Sequence, residues 1–499
     1  MPNVTPLDLY NKKLLDNVHP SDWQNPVPEG HYTLVVIGAG TAGLVTASVA
    51  AGLGAKVALI ERELMGGDCL NVGCVPSKAL ISSARRIQQI KTSADYGVTV
   101  AEPHVDFPAV LERMRKLRAS ISPVDSAARY ADLGVDVYYG EAQFVESNQI
   151  EVGKEILTFA KAVICTGARP VIPDIPGLDE NEILTNETVF NLTELPESLA
   201  VIGSGPIGCE MAQTFAAFGS QVTLICSGKE ILSNDDPDAA AFVRKQLEAD
   251  GVTILSGGKK LKAGPGRRLV IDSDTSPLDQ TFDQILVATG RKPNVESLNL
   301  KAAEISFSEK GIEVTDELQT TNENVFAAGD VASKYKFTHA ADFMARTVIQ
   351  NALFFGSKKV SDLVIPWCTY TTPELAHVGI TSQEIEEKDL KVDTFTQSFE
   401  DIDRAILEGE TEGFVRVHLQ QGTDKILGGT IVSKNAGDLI SQLSQAMTHN
   451  LSLGDLSKVI SPYPTQAEAI RKLGDTYNKE NFDGSLAKKL AKKLTELRT

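Results

Sequence analysis

The chain has 499 residues, enough at roughly 150 per domain for about three domains that each bury a core, so a single small module is excluded. Its 48 Lys and Arg against 66 Asp and Glu give a formal net charge of −18, the wrong sign for tracking a phosphate backbone, and no nucleic acid is expected as a partner. With 42% hydrophobic and 23% charged residues the composition excludes disorder, collagen and a membrane bundle. The six cysteines, at 69, 74, 165, 209, 226 and 368, are too few for a disulfide scaffold and point to a reducing, cytoplasmic setting.

The first 30 residues hold no continuous apolar run and no small-residue cleavage site, so they read as an extension and not a secretory signal. Leu34 to Ile60 is almost entirely apolar or small and long enough to resemble a membrane span. Gly38, Gly40, Gly43, Gly52 and Gly54 punctuate it and Lys56 interrupts it, which divides it into strand, turn, helix and strand. A buried βαβ unit has the same hydropathy, because parallel strands are covered on both faces, and no membrane partner is expected.

That unit recurs. Thr33 to Ile37 leads into Gly38-Ala-Gly40-Thr-Ala-Gly43, a helix of small residues and the strand ending at Glu61. Leu199 to Ile202 leads into Gly203-Ser-Gly205-Pro-Ile-Gly208, a similar helix and the strand ending at Cys226. Each Gly-x-Gly-x-x-Gly follows a strand and opens a helix, the context of a dinucleotide-binding unit, in which the glycines allow the turn, the approach of the pyrophosphate and the packing of helix on strand. Glu61, 23 residues after Gly38, is placed to accept hydrogen bonds from a ribose diol. Cys226, 23 residues after Gly203, carries no charge to repel a 2′-phosphate, and Ser227 and Lys229 follow it, so the second copy leans to NADPH over NADH; Lys229 is equally readable as a solvated loop lysine.

Beyond the second copy, Ala162 to Gly167 and Ile285 to Gly290 form two similar strand-to-glycine segments that flank it, the pattern of an inserted domain. The strand from Val325 ends in Gly329-Asp330 and precedes a helix, a position for an acid facing a ligand at the carboxyl edge of a sheet. After Pro366 short alternating strands such as Gly413 to Leu419 mix with helices, which predicts an α+β domain. From Asp483 the spacing of Leu486, Leu490, Leu494 and Leu497 with intervening lysines predicts an amphipathic helix, read as a solvated terminal helix before any partner role.

The chemical signal is Gly66-Gly-Asp-Cys69-Leu-Asn-Val-Gly-Cys74-Val-Pro-Ser-Lys78. A zinc site would need four ligands and no second cluster accompanies the pair, while the flanking glycines serve turns better than cores. A redox dithiol remains, with a nearby helix start and Lys78 to lower the thiol pKa.

With these motifs the chain resembles the flavin-dependent pyridine nucleotide-disulfide oxidoreductases of the glutathione reductase and dihydrolipoamide dehydrogenase type, over roughly residues 31 to 480. The resemblance rests on GAGTAG with Glu61, GGDCLNVGCVPSK, GSGPIGCE, VATGRKPN, AAGD and the run from Tyr370 to Gly379. It implies an α/β fold with two Rossmann-like dinucleotide-binding domains, for FAD and NAD(P), and a C-terminal α+β dimerisation domain. The corresponding boundaries are an extension at 1–30, the FAD-binding domain at 31–180 and 291–360, the NAD(P)-binding domain at 181–290, the dimerisation domain at 361–482 and a basic tail at 483–499. By resemblance Cys74 is the thiol beside the flavin, Cys69 the interchange thiol, and Lys78 with Glu210 the ion pair beside flavin N5. The implied cofactor residues are Gly38, Gly40, Gly43, Glu61, Gly67, Lys78, Gly167 and Asp330, with Gly203, Gly205, Gly208, Ser227, Lys229 and Gly290.

One signature departs. Disulfide reductases of this type carry His-Pro-Thr-x-x-x-Glu, with His as the acid and base of thiol exchange, whereas this chain has Ser461-Pro-Tyr463-Pro-Thr-Gln-Ala-Glu468. A phenol with a pKa of about 10 is a poor proton shuttle near neutrality. Mercuric reductases are similar in carrying Tyr and Glu here and in the surroundings of Asp403-Arg404-Ala405, although their usual C-terminal cysteine pair has no counterpart after Cys368. Two-coordinate capture of a soft metal by Cys69 and Cys74 is chemically reasonable, and no structural metal is expected.

The reading is therefore a homodimeric flavoenzyme that passes electrons from NAD(P)H through FAD and a Cys69–Cys74 disulfide to an electrophilic small-molecule or metal-ion acceptor such as Hg(II). The resemblance implies that Tyr463 and Glu468 act across the subunit interface. The rivals are a dihydrolipoamide dehydrogenase or glutathione reductase-like enzyme, using His339 or His449 as base where a buried structural histidine is otherwise expected, and a flavin-bound redox sensor.

Overall fold

A computed structural model describes residues 4–256, 258–272, 277–483, 490 and 493–498. The predicted leucine-spaced tail helix therefore lies largely outside the described residues. The chain divides into a large unit, Met1–Ser227 with Val252–Leu363, and a small unit, Gly228–Gly251 with Val364–Thr499.

The large unit opens with α1 (Leu9–Val18), started by Asp8, whose side chain accepts the Asn11 N–H at 2.8 Å. Leu14 and Val18 on this helix are wholly buried, so the extension packs on the domain, at roughly 1.5–3 kcal/mol of favourable burial for each side chain. The first βαβ repeat is β1 (His31–Ile37), α2 (Thr41–Gly52) and β2 (Val57–Glu61). Two helices follow it, α3 (Gly67–Asn71) and α4 (Cys74–Lys91), then α5 (Phe107–Ile121) and β3 (Val135–Tyr139). A meander of β4 (Ala142–Glu146), β5 (Gln149–Val152) and β6 (Glu155–Ile164) leads on to β7 (Ala168–Pro170).

The second repeat is β8 (Ser198–Ile202), α6 (Pro206–Phe218) and β9 (Gln221–Ile225). Later come β10 (Thr253–Leu255), β11 (Gln284–Val287), β12 (Arg291–Pro293) and β13 (Val325–Ala327). One sheet runs β3-β2-β1-β6-β5-β4 with β13 beside β6, and the second runs β10-β9-β8-β11. Leu34, Val35 and Val36 on β1 are all fully buried, the two-faced burial that made this segment look like a membrane span.

Register decides where ligands can reach. Ile37 aligns with Ile60 and Ile164, and Ile164 with Ala327, so the glycine turn, Glu61, Gly167 and Asp330 all leave one carboxyl edge of the first sheet. Ile202 aligns in the same way with Ile225 and Val287 in the second. The two flanking strand-to-glycine segments occupy matching places, β6 beside β1 and β11 beside β8, and the antiparallel ribbon β7–β12 follows them.

The small unit is built on an antiparallel sheet of β14 (Pro366–Thr369), β15 (Glu374–Gly379), β16 (Val392–Ser398), β17 (Phe414–Gln420) and β18 (Ile426–Ser433), in the order β14-β15-β18-β17-β16. Its core of Ile431, Val417 and Leu443 is fully buried. The segment Gly228–Gly251 groups here although chain order put it in the 181–290 domain. The physical reason is a buried polar joint: Asp236 caps α7 (Pro237–Ala249) and takes Arg416 of β17 at 3.0 Å, while Trp367 of β14 donates to Asp235 at 2.7 Å. Helix α8 (Thr338–Phe354) belongs to the large unit, and α9 (Asp403–Leu407), α10 (Ala436–Thr448) and α11 (Glu468–Asp483) to the small one.

Candidate active site

The glycines of the two repeats are spent on close contacts. A Cβ on Gly43 would lie 1.8 Å from the Gly38 carbonyl oxygen, and one on Gly208 would lie 1.8 Å from that of Gly203. Each third glycine thus lets its helix start against its strand, leaving the turn's N–H groups toward an anion. The first loop is bounded further by Gly67, where a Cβ would come within 2.7 Å of Gly40 Cα. Glu61 ends β2 with Oε2 accepting the Ala39 N–H and Oε1 the Glu63 N–H, both at 2.8 Å, and burial pushes its carboxyl up. Asp330 is also pushed up by burial and faces Arg291 at 3.4 Å, while the same guanidinium is paired with Asp68. Gly167 and Gly290 precede the two ribbon strands, their carbonyls accepting the Asn294 and Val171 N–H groups at 3.0 Å. A cradle that side chains would fill and a carboxylate at the strand end fit an FAD adenosine diphosphate, which Gly38, Gly40, Gly43, Gly67, Glu61 and Asp330 would hold.

Beside that cradle lie the two cysteines, Cys69 on α3 and Cys74 as the first residue of α4. Cys69 is half-buried and Cys74 exposed. Their environments drive them apart. Cys74 is lowered to about 6 by a hydrogen bond from Cys69, helped by Thr338 and the Lys78 charge against the opposing effect of burial. Cys69 is raised, first by that same hydrogen bond and then by burial. The expected lowering near a helix start and Lys78 therefore holds for one thiol and is reversed for the other. Cys74 Sγ is 3.4 Å from Thr338 Oγ1 at the start of α8. One turn along α4, Lys78 Nζ binds Glu210 Oε2 at 2.8 Å, with the carboxylate buried on α6 of the second repeat.

Thr338 and Arg291 are the contacts that sequence reasoning did not assign. Arg291 stands within the quoted VATGRKPN motif, directly after Gly290, and Thr338 opens the helix that follows Asp330.

The other expected residues are distributed over both units. Cys226 is wholly buried, its N–H on Leu255 O at 2.8 Å, while Ser227 and Lys229 are exposed on the loop beyond it. In the small unit Tyr463 donates its hydroxyl to Asp403 at 2.9 Å and not to Glu468, which pairs with Arg471 at 2.9 Å. His339 and His449, weighed as buried structural histidines, are both exposed. The deeply buried histidines are His377 and His418, on the central strands of the small unit's sheet, and burial lowers His377 to about 4.

Residues 32–345 match the pyridine nucleotide-disulphide oxidoreductase family, and residues 365–473 match its dimerisation domain. The chain belongs to this family. A mercuric reductase from Lysinibacillus sphaericus is 35% identical over 91% of this chain and 84% of its own length. A dihydrolipoyl dehydrogenase from Geobacillus stearothermophilus is 32% identical over 87% of this chain and 93% of its own. Among solved structures, the Cu(II) complex of the HOCl-induced flavoprotein disulfide reductase RclA from Escherichia coli superposes with a TM-score of 0.79 at 28% identity, covering 90% of this chain and 100% of that one. The protein is a flavin disulfide oxidoreductase, and FAD and NAD(P)H are its cofactors. Among the described residues no helix is long and apolar enough to cross a membrane, and no group of three or more His, Cys, Asp or Glu could hold a metal ion.

Proposed function

We propose that this oxidoreductase passes two electrons from NAD(P)H to a Cys69–Cys74 disulfide and on to an electrophilic acceptor, with a soft metal ion such as Hg(II) as substrate. Bound FAD supplies the relay that accepts hydride and delivers an electron pair to a disulfide. On the protein side, opening the disulfide takes two electrons and two protons; Cys74 then sheds its proton at about pH 6 while Cys69 retains one. Lys78, fixed by Glu210, holds positive charge one helical turn from Cys74.

The observation that carries the choice of acceptor is Tyr463. Its hydroxyl is tied to Asp403, and that hydrogen bond raises its pKa further from neutrality. A disulfide substrate needs a proton delivered to each departing thiolate, whereas Hg(II) becomes Hg(0) by taking two electrons and no proton. A site without a neutral-pH proton shuttle favours the metal. The mercuric reductase relatives support the same choice.

The preference for NADPH rests on Cys226, which offers no carboxylate to repel a 2′-phosphate, with Ser227 and Lys229 exposed beyond it. The dimerisation domain supports a homodimer, in which Tyr463 and Glu468 would act across the interface, and the low cysteine count fits a reducing cytoplasm.

A second reading has one observation in its favour. Exposed His339 directly follows Thr338, the residue in contact with Cys74, and could supply the missing base for a disulfide substrate. Turnover of Hg(II), Cu(II), lipoamide and oxidised glutathione with NADPH and with NADH separates the two. General acid–base catalysis typically contributes ~10²–10⁴-fold, so lipoamide and glutathione should lag Hg(II) by about 100-fold. Faster lipoamide turnover that collapses in His339→Ala would reverse the assignment.

A further inference from the structure

The N-terminal extension bonds to β3 through Trp23 and Asn25, and three further contacts reach residues 63–71, which include the helix that carries Cys69. The Val18 carbonyl accepts the Met65 N–H at 3.0 Å, and His19 Nδ1 contacts the Glu63 carbonyl oxygen. A third contact is relayed through a buried cation. Asn11 Oδ1 accepts from Arg118 Nη2 at 2.7 Å, and Arg118 Nη1 donates to the Asn71 carbonyl at 2.6 Å. Asn11, Arg118 and Asn71 are 0%, 2% and 3% exposed.

The relay is anchored at both ends. Asn11 Nδ2 donates to the Pro6 carbonyl at 2.8 Å, and Asp8 caps the helix that carries Asn11 while pairing with Arg115 at 2.5 Å. At the other end Asn71 Nδ2 donates to the Met65 and Gly67 carbonyls, at 3.0 and 2.9 Å, wrapping the turn that holds Cys69. Opposite the extension, Gly66 N–H donates to the Ala39 carbonyl of the nucleotide loop at 2.8 Å.

Helix α3 has five residues, too few to hold its own shape, so its outside contacts set where Cys69 stands. The two acceptors of Arg118 in this relay, the Asn11 amide oxygen and the Asn71 main-chain carbonyl, are neutral, and its Nε has no hydrogen-bond partner. Such a buried guanidinium is strongly committed to the acceptors it has.

We propose that Asn11 and Arg118 are positioning residues for Cys69, through which the N-terminal extension holds the outer thiol in register with Cys74. This rests on the reading of Cys69 and Cys74 as the redox pair. The extension is then a working part of the thiol exchange site without touching substrate or cofactor.

The test uses the full-length holoenzyme and compares NADPH-driven reduction of an aromatic disulfide, 5,5′-dithiobis(2-nitrobenzoate), with reduction of ferricyanide, which takes electrons without the thiols. Misplacement of a reacting group by about 1 Å can cost ~10²-fold, so Asn11→Ala and Arg118→Lys should each lower the disulfide-to-ferricyanide ratio by about tenfold or more, with FAD content unchanged. Asn11→Asp, which keeps an acceptor for Arg118, should restore it. Iodoacetamide should label Cys69 several-fold faster in Asn11→Ala after reduction. An unchanged ratio in both variants, or equal loss of both activities, would overturn the proposal. Cys69→Ser keeps the two claims separate: if it leaves disulfide turnover intact the redox-pair reading fails, and if it abolishes that turnover while the ratio ignores Asn11 and Arg118, only the positioning role fails.

Discussion

The two βαβ repeats share one close contact, 1.8 Å from the third glycine's would-be Cβ to the first glycine's carbonyl oxygen, and differ in what ends the second strand. Behind Gly38 and Gly43 the strand closes on Glu61, whose two carboxylate oxygens each take a backbone N–H at the carboxyl edge of the sheet. Behind Gly203 and Gly208 it closes on Cys226, wholly buried and without charge. The glycines would admit a pyrophosphate in either copy, and the strand end is where the two copies differ in what a nucleotide would meet. An ion pair, Lys78 to Glu210, connects the helix that bears Cys74 to the helix of the second repeat.

The largest effects should come from breaking the shared part. Gly43→Val drives side-chain atoms into the Gly38 carbonyl, and the purified protein should be colourless, without flavin or activity. Gly208→Val meets the same obstacle at Gly203, yet its product should stay yellow and lose only reduction by NAD(P)H. Identical outcomes for the two variants would show that the repeats are not functionally distinct.

Next come changes at the strand end. Glu61→Ala removes a charged acceptor for two backbone N–H groups, each such bond being worth roughly 1.5–3 kcal/mol, and should weaken FAD retention by at least ~10-fold in dialysis while leaving NADPH affinity unchanged. A smaller shift is expected at the link. In the reduced enzyme, iodoacetamide labelling of Cys74 should rise with pH through a midpoint of about 6, because its anion is favoured by Cys69, Thr338 and Lys78. Lys78→Met removes the cation and should move that midpoint upward; an unmoved or falling midpoint would mean that Lys78 does not stabilise the thiolate. Least of all, Lys229→Ala should raise the KM for NADPH by about threefold, the scale of an exposed ion pair, and leave that for NADH alone.

Much of this comparison was legible in the sequence because it is local. Strand, glycine turn and helix lie within some 25 residues in each copy, and the glycine spacing and the character of Glu61 and Cys226 need no long-range information. What stayed hidden depends on distant partners. The grouping of Gly228–Gly251 with the small unit follows from Asp236 meeting Arg416, and the role of the extension from Asn11 meeting Arg118. Neither pair has a periodicity or spacing that announces it. The histidines fail for a related reason: burial of His377 and His418 comes from central strands covered on both faces, whereas the composition around His339 and His449 does not reveal that both helix ends face outward.

The central claim is that one pair of six thiols takes the electrons. Anaerobic reduction of the holoenzyme with one equivalent of NADPH, followed by iodoacetamide and peptide mass mapping, tests it most directly. The account predicts that Cys69 and Cys74 are blocked in the oxidised enzyme and become labelled together after reduction, with Cys165, Cys209 and Cys226 unlabelled because they are buried. Labelling of Cys69 and Cys74 that is the same before and after NADPH would contradict it.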